Sequence, residues 1–598
     1  VMKICDATSR DWAPGWQRLL QTKPFLLYLF GKFKTEHKLA SHHDLENLRI
    51  PLTLREPSWR EKFKSIVRNY VSSWFTSVSE TASLGVEVGS TIISTVCKAV
   101  ELKPGASVRI VRDVYNFTTR KIYAIAPYVP SKFQFCENTA DNLKDALLTR
   151  QCRLRPLMTE DGENRLRHTA NSLKLKVDVL MDFGEWLESR VWSKVKKLMA
   201  DREFTHYIPR LNVAARSHFV KPDFVLNKFK ESAGRLVTTY ATQIQSILGP
   251  MLVSIKKATQ HPMNWSGFNV RFVGGKTREE IGTMFQEAID NCPDCYFFSG
   301  DFEKFDSSIS PKHINLESRV SKSMLPKTYN QYVEWYNAIE SSNVKAGAKT
   351  RDGYVTSRVP ASRGSGSPAT YLGNTVLAAL CVVTELRQFV SPHNRDLVTI
   401  LISGDDVLIV APLPVIRELM QRLNNFRDYG HVLEATYTND PCKVRFLQGF
   451  FCPQKDLEGF VLVPDFMRVV RKTPLMVEGR QTKETALLAA SKCSGMMDCF
   501  YWFEPLWRVY QRYQKHLIKK YNLKNIPPKE RKWLSFGNNY ELDPNPMFAS
   551  MGLNDQDIYS LTHYLEHFDV TGSLKFDHPV FNRLLPEDIN DELFERET

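Results

Sequence analysis

The chain has 598 residues, 43% of them hydrophobic, so it is too long for a single core and too apolar for a disordered polymer. Eighty Lys and Arg against 66 Asp and Glu leave a net charge of +14 and a pI near 9.1, which favours a polyanionic partner. Eleven scattered cysteines form no disulfide-type framework, which excludes the small secreted scaffolds and points to a reducing compartment.

Residues 57–78 interleave Trp59, Phe63, Ile66, Val67, Trp74 and Phe75 with Arg60, Lys62, Lys64 and Arg68. The stripe suits an interfacial membrane helix, although packing on a core is the preferred reading. Thr81–Val100 comes nearest to a membrane span, but Glu87, Lys98 and many Ser and Thr interrupt it. The first residue is Val1, as expected of a processed product or a fragment of a longer protein. Phe219–Asp223, followed by Lys228, Lys230 and Arg235–Val237, reads on its own as a solvated basic loop. Gly274-Gly275-Lys276-Thr277 imitates the end of a P-loop, but the glycine needed five residues before Gly275 is replaced by Val270, so an NTPase is rejected. Cys292-Pro293-Asp294-Cys295 has no second cysteine pair to complete a zinc site and is expected to be a structural turn.

Three segments carry the candidate chemistry. Cys295 to Phe298 has the aromatic bulk of a buried strand end, and Asp301 follows where that strand leaves the core. A carboxylate there is either a helix cap or a rigidly positioned metal ligand. Ser362–Ser367 is a Gly/Ser loop that runs into an apolar helix through Val376, Leu377, Leu380 and Val383. Such a loop offers N–H groups and hydroxyls to a phosphate or a template backbone. The following helix places Thr370 and Asn374, four residues apart, on one face. Leu397–Ile402 and Val407–Val410 read as the two strands of a tight hairpin whose tip is Gly404-Asp405-Asp406. Adjacent carboxylates repel and raise each other's pKa unless a hard cation such as magnesium sits between them. If Asp301 lies beside this tip, three carboxylates can hold two metal ions.

Towards the C-terminus, Val444–Phe451 reads as an apolar hairpin. Residues 507–533 carry nine Lys or Arg among Trp507, Tyr510, Tyr513, Tyr521 and Trp533, a pattern suited to following a nucleic-acid backbone. Residues 541–598 reverse the charge, with thirteen Asp or Glu against three Lys or Arg. An acidic soluble surface is preferred there over an element that competes with RNA.

In this order and with Asp301 and Asp405 104 residues apart, the segments resemble the palm of a positive-strand RNA virus RNA-dependent RNA polymerase. Asp301-x4-Asp306 is similar to motif A, Ser365-Gly366-x3-Thr370-x2-Gly373-Asn374 to motif B and Gly404-Asp405-Asp406 to motif C. Position 367 is Ser where many plant-virus-type relatives carry Asp; the noda-like or tombus-like grouping is read from this motif. The resemblance implies an α+β right hand of fingers, palm and thumb, with an antiparallel sheet in the palm. Its parts are an N-terminal extension with part of the fingers (1–200), fingers (201–295), motif A (296–306), an insertion (307–360), motifs B to E (361–452), and thumb with acidic tail (453–598). It implies that Asp301, Asp405 and Asp406 are catalytic and ligate two magnesium ions, or manganese. It implies that Asp306 and Asn374, with Ser365, Gly366 and Thr370, select the ribonucleotide. Lys221, Lys230 and Arg235 would grip the triphosphate as motif F, and Lys443 would be the general acid of motif D. Val444–Phe451 would be motif E, and Arg508, Arg512, Lys515 and Lys519 would follow the RNA. The implied partners are RNA template and product, rNTPs, other replicase domains and host membranes, in the cytoplasm at membrane-associated replication sites. A reverse transcriptase is disfavoured by Asp306, which stands where such enzymes typically carry an aromatic residue. An idle RNA-binding scaffold is disfavoured by the three intact carboxylates.

Overall fold

Short β-branched and aromatic runs pair into one six-stranded sheet in the computed structural model. The structure describes residues 103, 106–111, 123–124, 134–136, 138–177, 181–189, 216–220, 223–225, 236–240, 242–455, 458–465, 475–476, 483–524, 542–571, 576 and 578–584. The aromatic stripe at 57–78, the segment Thr81–Val100, and Lys221, Lys230 and Arg235 fall outside these residues. Among the described residues no helix is long and apolar enough to cross a membrane.

The strands are β1 (Met263–Trp265), β2 (Phe268–Phe272), β3 (Cys295–Phe302), β4 (Thr399–Ser403), β5 (Asp406–Pro412) and β6 (Leu433–Thr438). They lie in the order β6-β3-β5-β4-β2-β1. Four neighbouring pairs are antiparallel, as expected, and β2–β4 is parallel. That one departure from an all-antiparallel sheet follows from connectivity, because β2 and β4 are joined by a long crossover instead of a tight turn. Thr399–Ile402 and Val407–Ala411 are almost wholly buried, which explains why β4 and β5 read as continuous apolar runs and not as alternating ones.

Helices pack on this sheet. Thr277 caps α1 (Arg278–Asp290) with a reciprocal bond from Glu280, so the P-loop-like segment serves as a helix start. Ile281, Phe285 and Ala288 of α1 pack on Phe297, Leu401, Leu408 and Val410 of the sheet. Phe285 also stacks on Phe451 at 3.8 Å between centroids. After α2 (Pro311–Met324) and α3 (Asn330–Glu340), helix α4 (Thr370–Phe389) is buried along most of its length and lies against β2 and β4. Leu377 and Leu380 are fully buried there, and truncating either to Ala removes about 2–5 kcal/mol. The hairpin expected over Val444–Phe451 is present as β7 (Arg445–Phe446) and β8 (Gly449–Pro453), extended by β9 (Phe460–Pro464). Leu447 and Gln448 form its loop at φ 49° and 59°, the two left-handed residues a type I′ turn demands.

The chain divides into two compact units, one of residues 1–99, 182–213 and 241–249, the other of 100–181, 214–240 and 250–598. In the first, Gly249 lies against the Trp186 indole so closely that a Cβ would be 2.2 Å from it. The second holds all the elements labelled above. It also holds a C-terminal core in which Val509, Tyr510, Tyr513 and Leu517 of α5 (Glu504–Tyr521) pack with Leu561 and Leu565 of α6 (Asp555–Glu566).

Two buried imidazoles in contact make this unit sensitive to acid. His313 and His431 are buried, with ring centroids 4.5 Å apart. His313 Nε2 donates to the Tyr429 carbonyl at 2.7 Å, and His431 Nδ1 lies 2.7 Å from Ser308 Oγ. Burial lowers the His313 pKa to about 4 against the opposing Tyr429 carbonyl, and burial and His313 lower that of His431. The unfolded chain binds protons below the ordinary histidine pKa of about 6.5 while the folded chain resists them. The stabilising contribution is therefore complete above pH 6.5 and falls as the pH drops towards 4, by roughly 3 kcal/mol for His313 alone. Melting temperature is expected to decline steadily from pH 7 to 5; a flat profile would refute the neutral buried pair.

Candidate active site

The register of the central strands brings the two carboxylate segments together. β4 and β5 form a hairpin in which Ser403 pairs with Asp406, so the loop is Gly404-Asp405. Gly404 takes φ 66°, the glycine-first conformation of a type II′ loop. Asp406 is the first residue of β5 and not part of the tip as the sequence suggested, and it lies directly across from Asp301 on β3. On its other side, Asp301 faces Glu434 of β6, so three carboxylates occupy one cross-strand row. Partial burial, then the charge of Asp405, then that of Glu434 raise the Asp301 pKa. Asp301 and Asp405 are therefore close enough to repel. Hard oxygen donors held in mutual repulsion suit a divalent cation, although among the described residues no group of three His, Cys, Asp or Glu side chains is gathered closely enough to hold one. Glu434 was not singled out from sequence; nothing local marks it, and only strand register places it here.

The Gly/Ser loop is built into the same region. Asn374 Nδ2 donates to Asp306 Oδ1 at 2.7 Å, joining α4 to the turn after β3. Asn374 Oδ1 is buried without a partner. Thr370 Oγ1 donates to the Gly364 carbonyl at 2.7 Å, and Thr375 Oγ1 accepts the Gly404 N–H at 2.8 Å, tying the helix to the hairpin loop. Ser365 Oγ accepts from Thr238 N at 3.0 Å and donates to Leu236 O at 3.3 Å. Its hydroxyl thus fastens the loop to strand Leu236–Tyr240. Gly366 is required by space, since a Cβ would lie 2.1 Å from the Thr238 carbonyl oxygen.

Cations that sequence reasoning missed surround the turn after Asp301. Arg155 donates from Nε to Ser307 Oγ at 3.2 Å and from NH1 to Glu303 Oε1 at 3.1 Å, and its NH2 is buried without a partner. Lys103 Nζ donates to the Ser307 carbonyl at 2.6 Å, and Lys304 Nζ is 3.6 Å from Glu303 Oε1. Burial, together with Arg155, Arg153 and Arg150, lowers the Lys304 pKa against the pull of Glu303. Lys103, Arg150, Arg153 and Arg155 are more than a hundred positions from motif A and carry no local signal, whereas Lys304 lies within it.

A family model described as RNA-dependent RNA polymerase matches residues 169–470, just over half of the chain. The chain belongs to the RNA-dependent RNA polymerases of positive-strand RNA viruses. The polymerase is therefore an RNA-directed nucleotidyltransferase. No curated protein matches it. The match spans every element of the six-stranded sheet, both carboxylate segments and the Gly/Ser loop.

Other expected site residues stand apart from these contacts. Lys443 lies on an exposed turn of the polymerase, with Nζ 3.7 Å from Asp440 Oδ2. Arg508 pairs with Glu504 at 2.7 Å. Arg512 donates to the carbonyls of Glu566 and Leu565 at 2.8 and 2.7 Å, which gives it a structural use at the C-terminus of α6. Lys515 and Lys519 are exposed on α5. The Cys292 and Cys295 thiols hydrogen-bond to each other in the turn entering β3; this bond lowers the Cys292 pKa, and with burial it raises that of Cys295.

Proposed function

We propose that the polymerase performs template-directed RNA synthesis from rNTPs, replicating a viral genome, with Asp301 and Asp405 as metal ligands and Asp406 in support. The observation that carries this reading is the strand register that sets Asp406 directly across from Asp301, beside the loop that bears Asp405. Two magnesium ions, or manganese, would when bound lower the pKa of the RNA 3′-hydroxyl and neutralise the triphosphate. The protein's own residues do the positioning. Asp301 holds charge near the end of β3, where a rigid sheet fixes it, and Asp405 holds charge in the adjoining hairpin loop. The Thr375–Gly404 bond keeps the hairpin loop in place relative to α4.

Asp306 and Asn374 select the sugar. The unpartnered Asn374 Oδ1 can accept a ribose 2′-hydroxyl while Nδ2 holds Asp306. A site built to bond that hydroxyl rejects a sugar lacking it. Ser365, Gly366 and Thr370 shape the loop that carries this pair. Lys221, Lys230 and Arg235 are the candidate triphosphate contacts, and the Arg155 and Lys304 cluster adds positive charge at the turn after Asp301. Lys443 is the candidate general acid, and Lys515 and Lys519 are the α5 residues best disposed to meet RNA.

In this reading the chain is a right hand. Fingers lie within 201–295 and 307–360, the palm within 296–306 and 361–452, and the thumb beyond 452. Replication takes place in the host cytoplasm at membrane sites, with other replicase domains.

The test is incorporation of labelled rNTPs by purified protein on a short single-stranded RNA with magnesium. Synthesis should be strongly selective over dNTPs. Asn374→Ala should narrow the rNTP-to-dNTP ratio of kcat/KM by about ten-fold. RNA binding without incorporation would favour the scaffold.

A further inference from the structure

We propose that Glu340 is a positioning residue for sugar selection, clamping both ends of the Gly364–Gly366 loop through Arg363 and Ser367 so that Asp306 stays in reach of Asn374. The inference rests on the assignment of Asp306 and Asn374 to the ribose.

Glu340 ends α3 and is fully buried. Its Oε2 lies 3.6 Å from Arg363 NH1, at the start of the loop, and its Oε1 accepts the Ser367 hydroxyl at 3.1 Å, at the end. One carboxylate therefore spans the three loop residues between them. The intervening segment is held on the same support, since Gly364 N donates to the Tyr240 hydroxyl at 3.2 Å and Tyr240 in turn donates to Glu340 Oε2 at 3.5 Å.

The clamp reaches the sugar pair through the main chain. Arg363 N donates to the Asp306 carbonyl at 3.1 Å, so the residue whose guanidinium Glu340 holds is bonded directly to the selecting aspartate. From the other end, Ser367 O accepts the Thr370 N–H at 3.1 Å in the turn that starts α4, four residues before Asn374. Asp306 and Asn374 approach from different elements, so their 2.7 Å bond survives only if both ends of the loop keep their places. Alongside the Ser367 N–H and Thr370 hydroxyl bonds to the Gly364 carbonyl, the Glu340 carboxylate ties the Arg363 side chain to that of Ser367.

This geometry also accounts for Ser at position 367. An aspartate there would place a third carboxylate beside Glu340 and Glu317, which share the single Arg363. A serine hydroxyl instead supplies the proton that Glu340 Oε1 accepts.

The experiment measures kcat and KM separately for rNTP and dNTP in the full chain, for wild type, Ser367→Ala, Glu340→Gln and Asn374→Ala, with melting temperature alongside. Ser367→Ala removes only the hydroxyl, at a small buried site. It should cut the rNTP-to-dNTP ratio of kcat/KM about five-fold, mainly by raising the rNTP KM. Glu340→Gln should cut the ratio at least as much. Template affinity should not change. A lower melting temperature with equal losses for both nucleotides would overturn the proposal and leave Glu340 as a stabilising residue only. If Glu340→Gln does not fold, Ser367→Ala decides alone. If Asn374→Ala alters the ratio and Ser367→Ala does not, the clamp is wrong; if neither alters it, the sugar assignment of Asp306 and Asn374 is wrong.

Discussion

Replacing Asp405 by Asn is expected to reduce RNA synthesis by about a thousand-fold or more, while leaving the fold intact or slightly firmer. The two effects have opposite signs for one reason. Asp405 sits in the hairpin loop, where its charge acts on Asp301 and, after burial, is the main cause of that residue's raised pKa. A carboxylate whose folded pKa exceeds its unfolded value binds protons more readily when folded. It therefore opposes folding once the pH rises above the ordinary carboxylate range. Removing the neighbouring charge lowers the Asp301 pKa and relieves that opposition. The amide keeps the size of the side chain, so Gly404 and its bond to Thr375 should be undisturbed. Incorporation assays, a thermal melt and the titration of Asp301 check the three parts. A variant that is inactive because it is unfolded would contradict the second part, and an active variant would contradict the whole site.

Arg363→Met is expected to destabilise the protein by about 3–5 kcal/mol. Arg363 is fully buried, and its guanidinium is bonded to Glu317 and Tyr336 and lies 3.6 Å from Glu340. Burial lowers its pKa, but Glu317, Tyr336 and Glu340 raise it further, so it stays charged. Methionine fills most of the volume but leaves two buried carboxylates with no cation between them. Burial already raises the Glu317 pKa despite Arg363, and without the arginine it should rise further. The loss should consequently be greatest at high pH and shrink as the carboxylates protonate. Adding Glu317→Gln and Glu340→Gln to Arg363→Met should restore a large part of the stability, because it removes the stranded charges. Denaturant midpoints measure both steps. No shift in the single variant would show that the buried ions are not paired as described.

What could be read from the sequence was local. The β4–β5 hairpin announced itself by β-branched runs around a glycine-first loop, and α4 by an unbroken apolar stretch. The Asp306–Asn374 pair followed from the motifs that carry the family resemblance, and the structure brings the two side chains into contact. What escaped was set by distant pairing. Glu434 reaches Asp301 through strand register alone, and Arg155 reaches Ser307 across 152 positions. Glu340 looks like any other helix-end acid until α3 is packed under the loop. Arg512 was read as part of a basic stripe, but charge and spacing cannot tell a phosphate-facing side chain from one that caps a neighbouring helix. One detail of the hairpin also needed coordinates, because whether Asp406 belongs to the loop or the strand depends on which residues pair.

Two long-range pairings, β2 with β4 and β3 with β6, govern when the carboxylate end of the sheet can come into being. The β4–β5 hairpin can close within a few microseconds of its own synthesis, being contiguous in sequence. Thr399 and Asn269 must instead find each other across 130 residues, and Asp301 meets Glu434 only once β6 has been made. Loop-closure entropy makes such long-range contacts slow to form. During translation, the chain emerging from the ribosome thus passes through a stage in which Asp301 and Asp406 exist but Glu434 is not yet their neighbour. The row of Asp406, Asp301 and Glu434 can consequently be complete only after residue 438 has left the exit tunnel.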